Sequence, residues 1–341
     1  MLVIRGDTQV EGVDFTETFS PVMKLSTVKC LVVVAVKHGW SMFQLYVNNA
    51  FLHGDLHEEV YMNLPQGLSI SSSSSSSPLV CKLKKSLYGL RQASKQWYAK
   101  LSQALWSRGY THSLNVYSLF VKGSSCDIVI LVVYVDNIIL TVNNLVEIST
   151  LKKFLDNEFK KKDLGLLHYF LGIEVSTSPD GVFLNQRKFV LDLLKEYNCL
   201  ELSSVVSPLD LNSKLKADSG ELFAHPERYM SLIGKLLFLT HTRPDLCFGV
   251  QHLSQFLQAP RLPHMTAAFH MLRFLKGTID VGLFYSNSRD CTFTAYSDSD
   301  WAACPDICKS VCEFYVFLGD CLVAWKSKKQ PVVSLSSAEA E

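Results

Sequence analysis

Long apolar runs are missing from this sequence of 341 residues. The longest, Ile128 to Leu140, has 13 residues and is broken by Asp136, whereas a membrane-spanning helix needs about 20. No basic segment followed by an apolar core opens the chain, since Met1 leads directly into Leu2-Val3-Ile4 and Arg5-Gly6. The expectation is an intracellular protein, cytoplasmic or nuclear, not secreted and not held in a membrane. The ten cysteines form no CxxC pair and no regular framework, which points to free thiols in a reducing compartment. An excess of either charge is also lacking. Thirty-three Lys and Arg against 32 Asp and Glu leave a formal net charge of +1, so a nucleic-acid partner has to be held by local basic clusters. What is abundant is core material. Hydrophobic residues make up 48% and charged residues 19%, enough for two or three folded domains and too little charge for disorder.

The first half mixes strands and helices. Ser26-Thr27 can cap a helix through Val36, with Val28, Leu31, Val32 and Ala35 on one face. Ser41 to Val47 reads as a strand and Ser94 to Arg108 as a helix whose core face carries Trp97, Leu101 and Leu105. The serine run Ser71 to Ser77 has nothing to bury and reads as a surface insertion over 70–78. Ile128 to Val133 and Ile138 to Val142 form a hairpin whose tip is Tyr134-Val135-Asp136-Asn137. A helix over Leu145 to Phe159, strand structure over Leu166 to Val175 and a helix over Phe183 to Tyr197 follow.

Ser203 to Gly220 is rich in Ser, Pro, Asp and Asn and reads as a linker. Three helices come next, Glu227 to Thr240, Pro244 to Leu257 and His264 to Lys276 with Gly277 as C-cap. From Gly282 the pattern turns to strands over Gly282 to Tyr285, Cys291 to Tyr296, Glu313 to Gly319 and Cys321 to Trp325. Ser336-Ser337-Ala338-Glu339 is a capping-box start for a helix with only about five residues left to build it. The last domain is therefore expected to be incomplete.

A carboxylate at a hairpin tip is a means of presenting a ligand to a divalent cation, and Asp136 can supply one. The same Asp-Asn pair also suits a tight turn for conformational reasons alone. Cys304, Cys308 and Cys312, with Cys321 nearby, lack zinc-knuckle spacing and a partner histidine, and read as incidental thiols.

Seven ordered motifs resemble copia-type retrotransposon reverse transcriptases. Gln44 to Gly54 is similar to motif A. Val80 to Trp97, with Ser86-Leu87-Tyr88-Gly89-Leu90-Arg91-Gln92-Ala93, and the hairpin Tyr134 to Asn137 are similar to later motifs. Asp163-Leu164-Gly165 through Val175 resembles the primer-grip region. Thr242-Arg243-Pro244-Asp245, Tyr296 to Trp301 and Ser336 to Glu341 resemble connection and ribonuclease H segments.

The resemblance implies an α+β protein. Fingers and palm of a right-hand polymerase would occupy 1–175, a mostly helical thumb or connection 176–285, and a truncated ribonuclease H-like α/β domain 286–341. It further implies Mg²⁺ or Mn²⁺ as cofactor, with an RNA or DNA primer–template and deoxynucleotide triphosphates as partners. Carried over residue by residue, it places Asp136 among the polymerase metal ligands. It puts Tyr46 and Asn137 where family members carry the other two aspartates. Tyr46 brings no charge at neutral pH, and polymerisation is expected to be lost or much reduced. Asp298 matches the first ribonuclease H metal ligand and Glu341 the glutamate, while Glu313 stands where a glycine is usual. Gln92 and Arg91 fall at nucleotide- or template-contacting positions, and Lys24 and Lys29 in the fingers. A solvated charge at a helix end is an equal reading of each lysine. Lys82, Lys84, Lys85, Arg91 and Lys95 form the densest basic cluster.

Overall fold

A computed structural model describes residues 3–65, 67–68, 79–123, 127–143, 145–210, 215–304 and 306–341. The serine run lies outside the described residues. The chain divides into two compact units, 1–24 with 40–167 and 25–39 with 168–341. Helix α1 (Leu25–Lys37) belongs to the second unit.

The first unit contains β1 (Ser41–Val47), β2 (Tyr61–Asn63), β3 (Val80–Lys82), α2 (Ala93–Trp106), β4 (Thr111–His112), β5 (Leu119–Lys122), β6 (Val129–Tyr134), β7 (Asn137–Val142), α3 (Leu145–Phe159) and β8 (Lys161–Leu166). Six strands form one sheet in the order β4-β5-β6-β7-β1-β8, and β2 pairs with β3. Alternation decides the layers, because successive side chains leave opposite faces of a strand. Leu45, Val47, Leu131, Val133, Ile138 and Leu140 all turn to one face, where α2 and α3 cover them with Trp97, Leu101, Leu105, Leu151, Leu155 and Phe159. The other face keeps Gln44, Tyr46 and Asn137. Trp97 is 2% exposed and packs edge-on against Phe159 at 5.1 Å, an anchor whose truncation costs about 3–5 kcal/mol.

The second unit adds β9 (Tyr169–Phe170), β10 (Ile173–Ser178), β11 (Gly181–Asn185), α4 (Arg187–Glu196), α5 (Pro226–Leu239), α6 (Cys247–Ser254), α7 (Leu262–Gly277), β12 (Leu283–Ser286), β13 (Phe293–Asp300), β14 (Val311–Leu318), β15 (Cys321–Lys329) and α8 (Ser337–Ala340). Helices α4 to α7 close around Leu193, Leu232, Leu236, Leu253, Met271 and Leu275. Two antiparallel sheets accompany them, β12-β11-β10-β9 and β13-β14-β15, and α1 packs on β12 and β15.

Three expected elements need the largest correction. The helix expected over Phe183 to Tyr197 begins only at Arg187, because Val182, Phe183 and Leu184 pair with both β10 and β12. Gly181 is required there, since a Cβ on it would lie 2.1 Å from the Tyr285 carbonyl oxygen. The strand expected over Leu166 to Val175 breaks at Leu171 and Gly172, both at positive φ. The strand expected to end at Tyr296 runs on to Asp300 and so contains Asp298.

Arg243 fixes the connection after α5. It is 1% exposed, grips both oxygens of Asp245 at 2.6–3.2 Å and donates to the Thr278 carbonyl and hydroxyl at 2.8 Å. Lysine keeps the charge but not the planar fork. We expect Arg243→Lys to cost about 2–3 kcal/mol through lost charge-assisted bonds. An unchanged denaturation midpoint at equal slope would contradict this assignment.

Candidate active site

The β6–β7 hairpin closes through a two-residue turn, Val135-Asp136. Val135 has φ of 55°, a costly conformation for a β-branched residue. Two bonds hold it in place: the Trp97 indole donates to the Val135 carbonyl at 2.6 Å, and the Val47 amide donates to the Asp136 carbonyl at 2.8 Å. The second fastens the tip to β1, whose register against β7 sets Tyr46 directly opposite Asn137. Tyr46, Asp136 and Asn137 thus meet at one end of the sheet, on the side away from the helices.

Their side chains bond to each other. The Asn137 amide donates to Asp136 Oδ1 at 2.9 Å, and the Gln44 amide donates to Asn137 Oδ1 at 3.3 Å. The Asp136 charge, then burial, then a hydrogen bond to that carboxylate raise the Tyr46 phenol above its ordinary pKa. Tyr88 is raised too, by burial and by the charge of Asp136. Both phenols therefore stay neutral at physiological pH. Two divalent cations sharing a site need several carboxylate oxygens from adjacent strands. This tip offers one carboxylate, a carboxamide and a phenol, a donor set that does not fit such a pair. Among the described residues no three His, Cys, Asp or Glu side chains gather to hold a metal ion, and this includes the cysteines near 304–321.

Asp298 lies exposed on β13 with Glu313 directly across on β14. Its neighbour Ser299 meets Cys312 Sγ at 3.4 Å, and that sulfur lies 3.7 Å from the Ala340 carbonyl in α8. Alternation turns Asp298 to the opposite face. The strand face that meets α8, which leads into Glu341, is thus not the face that carries Asp298.

The substrate-contact candidates are scattered. Lys24 is exposed. Arg91 is exposed, donates to the Gly6 carbonyl at 2.9 Å and lies 5.5 Å from the Phe15 ring. Gln92 is fully buried, donates to the Asp14 carbonyl at 2.9 Å and accepts from the Gln9 amide at 3.1 Å. Most of the basic cluster is matched by acids. Lys82 pairs with Glu59, Lys85 and Lys100 with Asp55, and Lys95 with Glu17. Lys100 and Lys85 pull the Asp55 carboxyl down to about 2.

Residues 1–210 match the family described as reverse transcriptase (RNA-dependent DNA polymerase). The chain belongs to this family. It is 40% identical over its whole length to a retrovirus-related Pol polyprotein from transposon RE2 of Arabidopsis thaliana, of which it spans 23%. Over its whole length it is also 34% identical to the Pol polyprotein from transposon TNT 1-94 of Nicotiana tabacum, of which it spans 26%. These relatives are copia-type elements, as the motifs implied. A solved foamy viral protease–reverse transcriptase in complex with double-stranded DNA covers 88% of the chain at 13% identity and a TM-score of 0.44, with 45% of that chain matched. That likeness is too loose to carry an argument. Among the described residues no helix is long and apolar enough to cross a membrane.

Within this reverse-transcriptase chain, sequence reasoning missed Gln44, Tyr88 and Trp97 as parts of the tip. Gln44 was within reach, since it stands two residues before Tyr46 on a strand and so shares its face. Tyr88 and the indole of Trp97 arrive from distant segments, with no local signal. Lys29 turns away from solvent altogether. It is 5% exposed, in the second unit, with its ammonium 3.3 Å from the centre of the Trp325 ring. Burial pushes it down to about 7.

The sign of the resulting pH dependence is fixed. A lysine whose folded pKa is lowered destabilises the fold most below that pKa, and the cost is relieved as pH rises toward the unfolded value of 10.5. Relative to Lys29→Met, wild-type stability should therefore rise between about pH 7 and 10. Lys29→Met should be the more stable at neutral pH. Denaturant titrations of both proteins across that range check it, and parallel curves would exclude a neutral buried amine.

Proposed function

We propose that the chain is the fingers and palm of a copia-type reverse transcriptase, followed by a helical thumb or connection and a ribonuclease H-like segment. On this reading it binds primer–template nucleic acid and polymerises poorly or not at all. The tip of the β6–β7 hairpin is the palm's catalytic position, and the observation that carries the reading is its single carboxylate. Two-metal phosphoryl transfer uses the ions to activate the attacking oxygen and to clamp the leaving group. With Tyr46 and Asn137 beside Asp136, neither task is supported. In the ribonuclease H-like part, Asp298 and Glu341 are the candidate ligands.

Binding is a separate matter from chemistry. The lysines at 82, 84, 85 and 95, with Arg91, remain the best track for a phosphate backbone. Their ion pairs with Glu59, Asp55 and Glu17 are exposed, and exposed pairs are worth only about 0–1 kcal/mol. A phosphate can therefore compete for the lysines, at a reduced gain and with a marked salt dependence.

Primer extension on an RNA template with Mg²⁺ or Mn²⁺ tests the reading. Synthesis should fall several orders of magnitude below that of a member with three aspartates, and Tyr46→Asp with Asn137→Asp should restore some of it. Synthesis by the wild type that vanishes in Asp136→Ala would overturn the impaired-site reading. Affinity for a primer–template duplex should fall steeply with salt and weaken in Lys84→Ala with Lys85→Ala. Binding insensitive to either change would remove the nucleic-acid role from this surface.

A further inference from the structure

We infer that Gln44, Tyr46, Asp136 and Asn137 form a self-satisfied hydrogen-bonded set that keeps the hairpin tip folded without any divalent cation, and that the residues at 46 and 137 are energetically coupled. The inference rests on the reading of this tip as a palm catalytic position, and goes beyond it to what now holds the position together.

Two side-chain hydrogen bonds run through the set in sequence. Asp136 Oδ1 accepts from the Asn137 amide at 2.9 Å. The Asn137 carbonyl oxygen accepts from Gln44 at 3.3 Å. Tyr46 stands opposite Asn137 in the β1–β7 pair, and the nearby Asp136 charge, then burial, then a hydrogen bond to that carboxylate raise its phenol. The backbone is equally closed, since the carbonyls of Val135 and Asp136 are taken by the Trp97 indole and the Val47 amide. Buried side-chain atoms without partners do occur among the described residues, at Ser86, Ser102 and His112 for example, but none belongs to this tip.

A cluster of three carboxylates has the opposite requirement. Like charges a few ångströms apart repel, and a cation or a proton has to compensate them. Here one negative charge is met by neutral donors, whose hydrogen bonds take the place of a compensating cation. Restoring an aspartate at 137 removes the amide donor and adds a second charge beside Asp136. Restoring one at 46 removes the phenol and adds a charge across the strand pair. Either change breaks the set, and the two together create the cluster that needs metal.

The test is thermal unfolding of the wild type, Tyr46→Asp, Asn137→Asp and the double variant, in EDTA and in millimolar Mg²⁺ or Mn²⁺ at matched ionic strength. Mn²⁺ uptake followed by electron paramagnetic resonance gives a second readout. The wild-type midpoint should not move with either cation, and its Mn²⁺ signal should stay that of the free ion. The double variant should melt several degrees lower in EDTA and recover with metal, because a ligand that binds only the folded state raises its stability. If the double variant does not fold in EDTA, Asn137→Asp alone carries the test, with a lowered midpoint and a small metal-dependent rise. A saturable rise of the wild-type midpoint with Mn²⁺, lost in Asp136→Ala, overturns the inference. So does a double variant as stable in EDTA as the wild type. Primer–template binding is read separately. Its absence would strike the proposed function and leave the midpoints untouched, whereas wild-type Mn²⁺ uptake would strike this inference alone.

Discussion

The register of β1 against β7 is the constraint on which the first unit depends. Setting Tyr46 opposite Asn137 also sets Phe43 opposite Leu140 and Leu45 opposite Ile138, so one choice fills the helix-covered core and assembles the tip. A slip of one residue would turn Leu45 and Val47 outward and bring Gln44 and Tyr46 under Trp97. The loss of apolar burial makes that arrangement far less stable, at about 25 cal/mol for each Å² exposed. The hydrophobic core thus enforces the position of polar groups that contribute little to it. The strain at Val135 fits the same picture. Its positive φ persists because Trp97, anchored by burial at 2% exposure, donates its indole hydrogen to that residue's carbonyl.

Helix α1 shows how differently two buried lysines can be accommodated. Lys37, whose side chain is 1% exposed, finds the Asp320 carboxylate at 3.1 Å and the Ser288 carbonyl at 2.8 Å, so its charge is met by full hydrogen bonds. Lys29 lies about two turns earlier on the same helix and has an aromatic ring instead. A ring compensates a cation only partly once water is removed, which is why its pKa falls to about 7. Neither lysine contributes to an external field. Together with the acids set against Lys82, Lys85, Lys95 and Lys100, they leave the surface less basic than the clustering of lysines in the sequence implies.

Much of the architecture was legible where periodicity and turn chemistry agree. The strand over Ser41 to Val47 and the helix over Leu145 to Phe159 match the structure at both ends, because alternation and helical spacing are undisturbed there. The segment over Phe183 to Tyr197 was not legible. Its first residues are apolar in a way that suits either period, and pairing on both sides, with β10 just before it and with β12 about a hundred residues onward, selects the strand. The candidate site divides along the same line. Asp136 and Asn137 announce themselves at a hairpin tip, and Tyr46 enters through the family motif. Gln92 carries an equally strong motif signal, yet its amide is consumed by Asp14 and Gln9 inside the unit. A motif gives residue type and order. It does not say which polar atoms the neighbouring backbone has already claimed.

If the tip is the proposed palm position, it also shows how a family fold can be kept with a different set of polar side chains there. Catalytic carboxylates gathered at one point destabilise the folded state until metal arrives, and proteins tolerate that cost for the sake of activity. Substitution by a carboxamide and a phenol removes the repulsion while keeping hydrogen-bonding groups at the same places on the two strands. Asp136 accepts from Asn137 within the hairpin, with Tyr46 across the strand pair on β1. Nothing else in the sheet has to change, since the helix-covered face is built from the alternate residues. On the proposed reading, the separation of the two faces is what lets residues 46 and 137 differ from metal ligands without touching the helix-covered core.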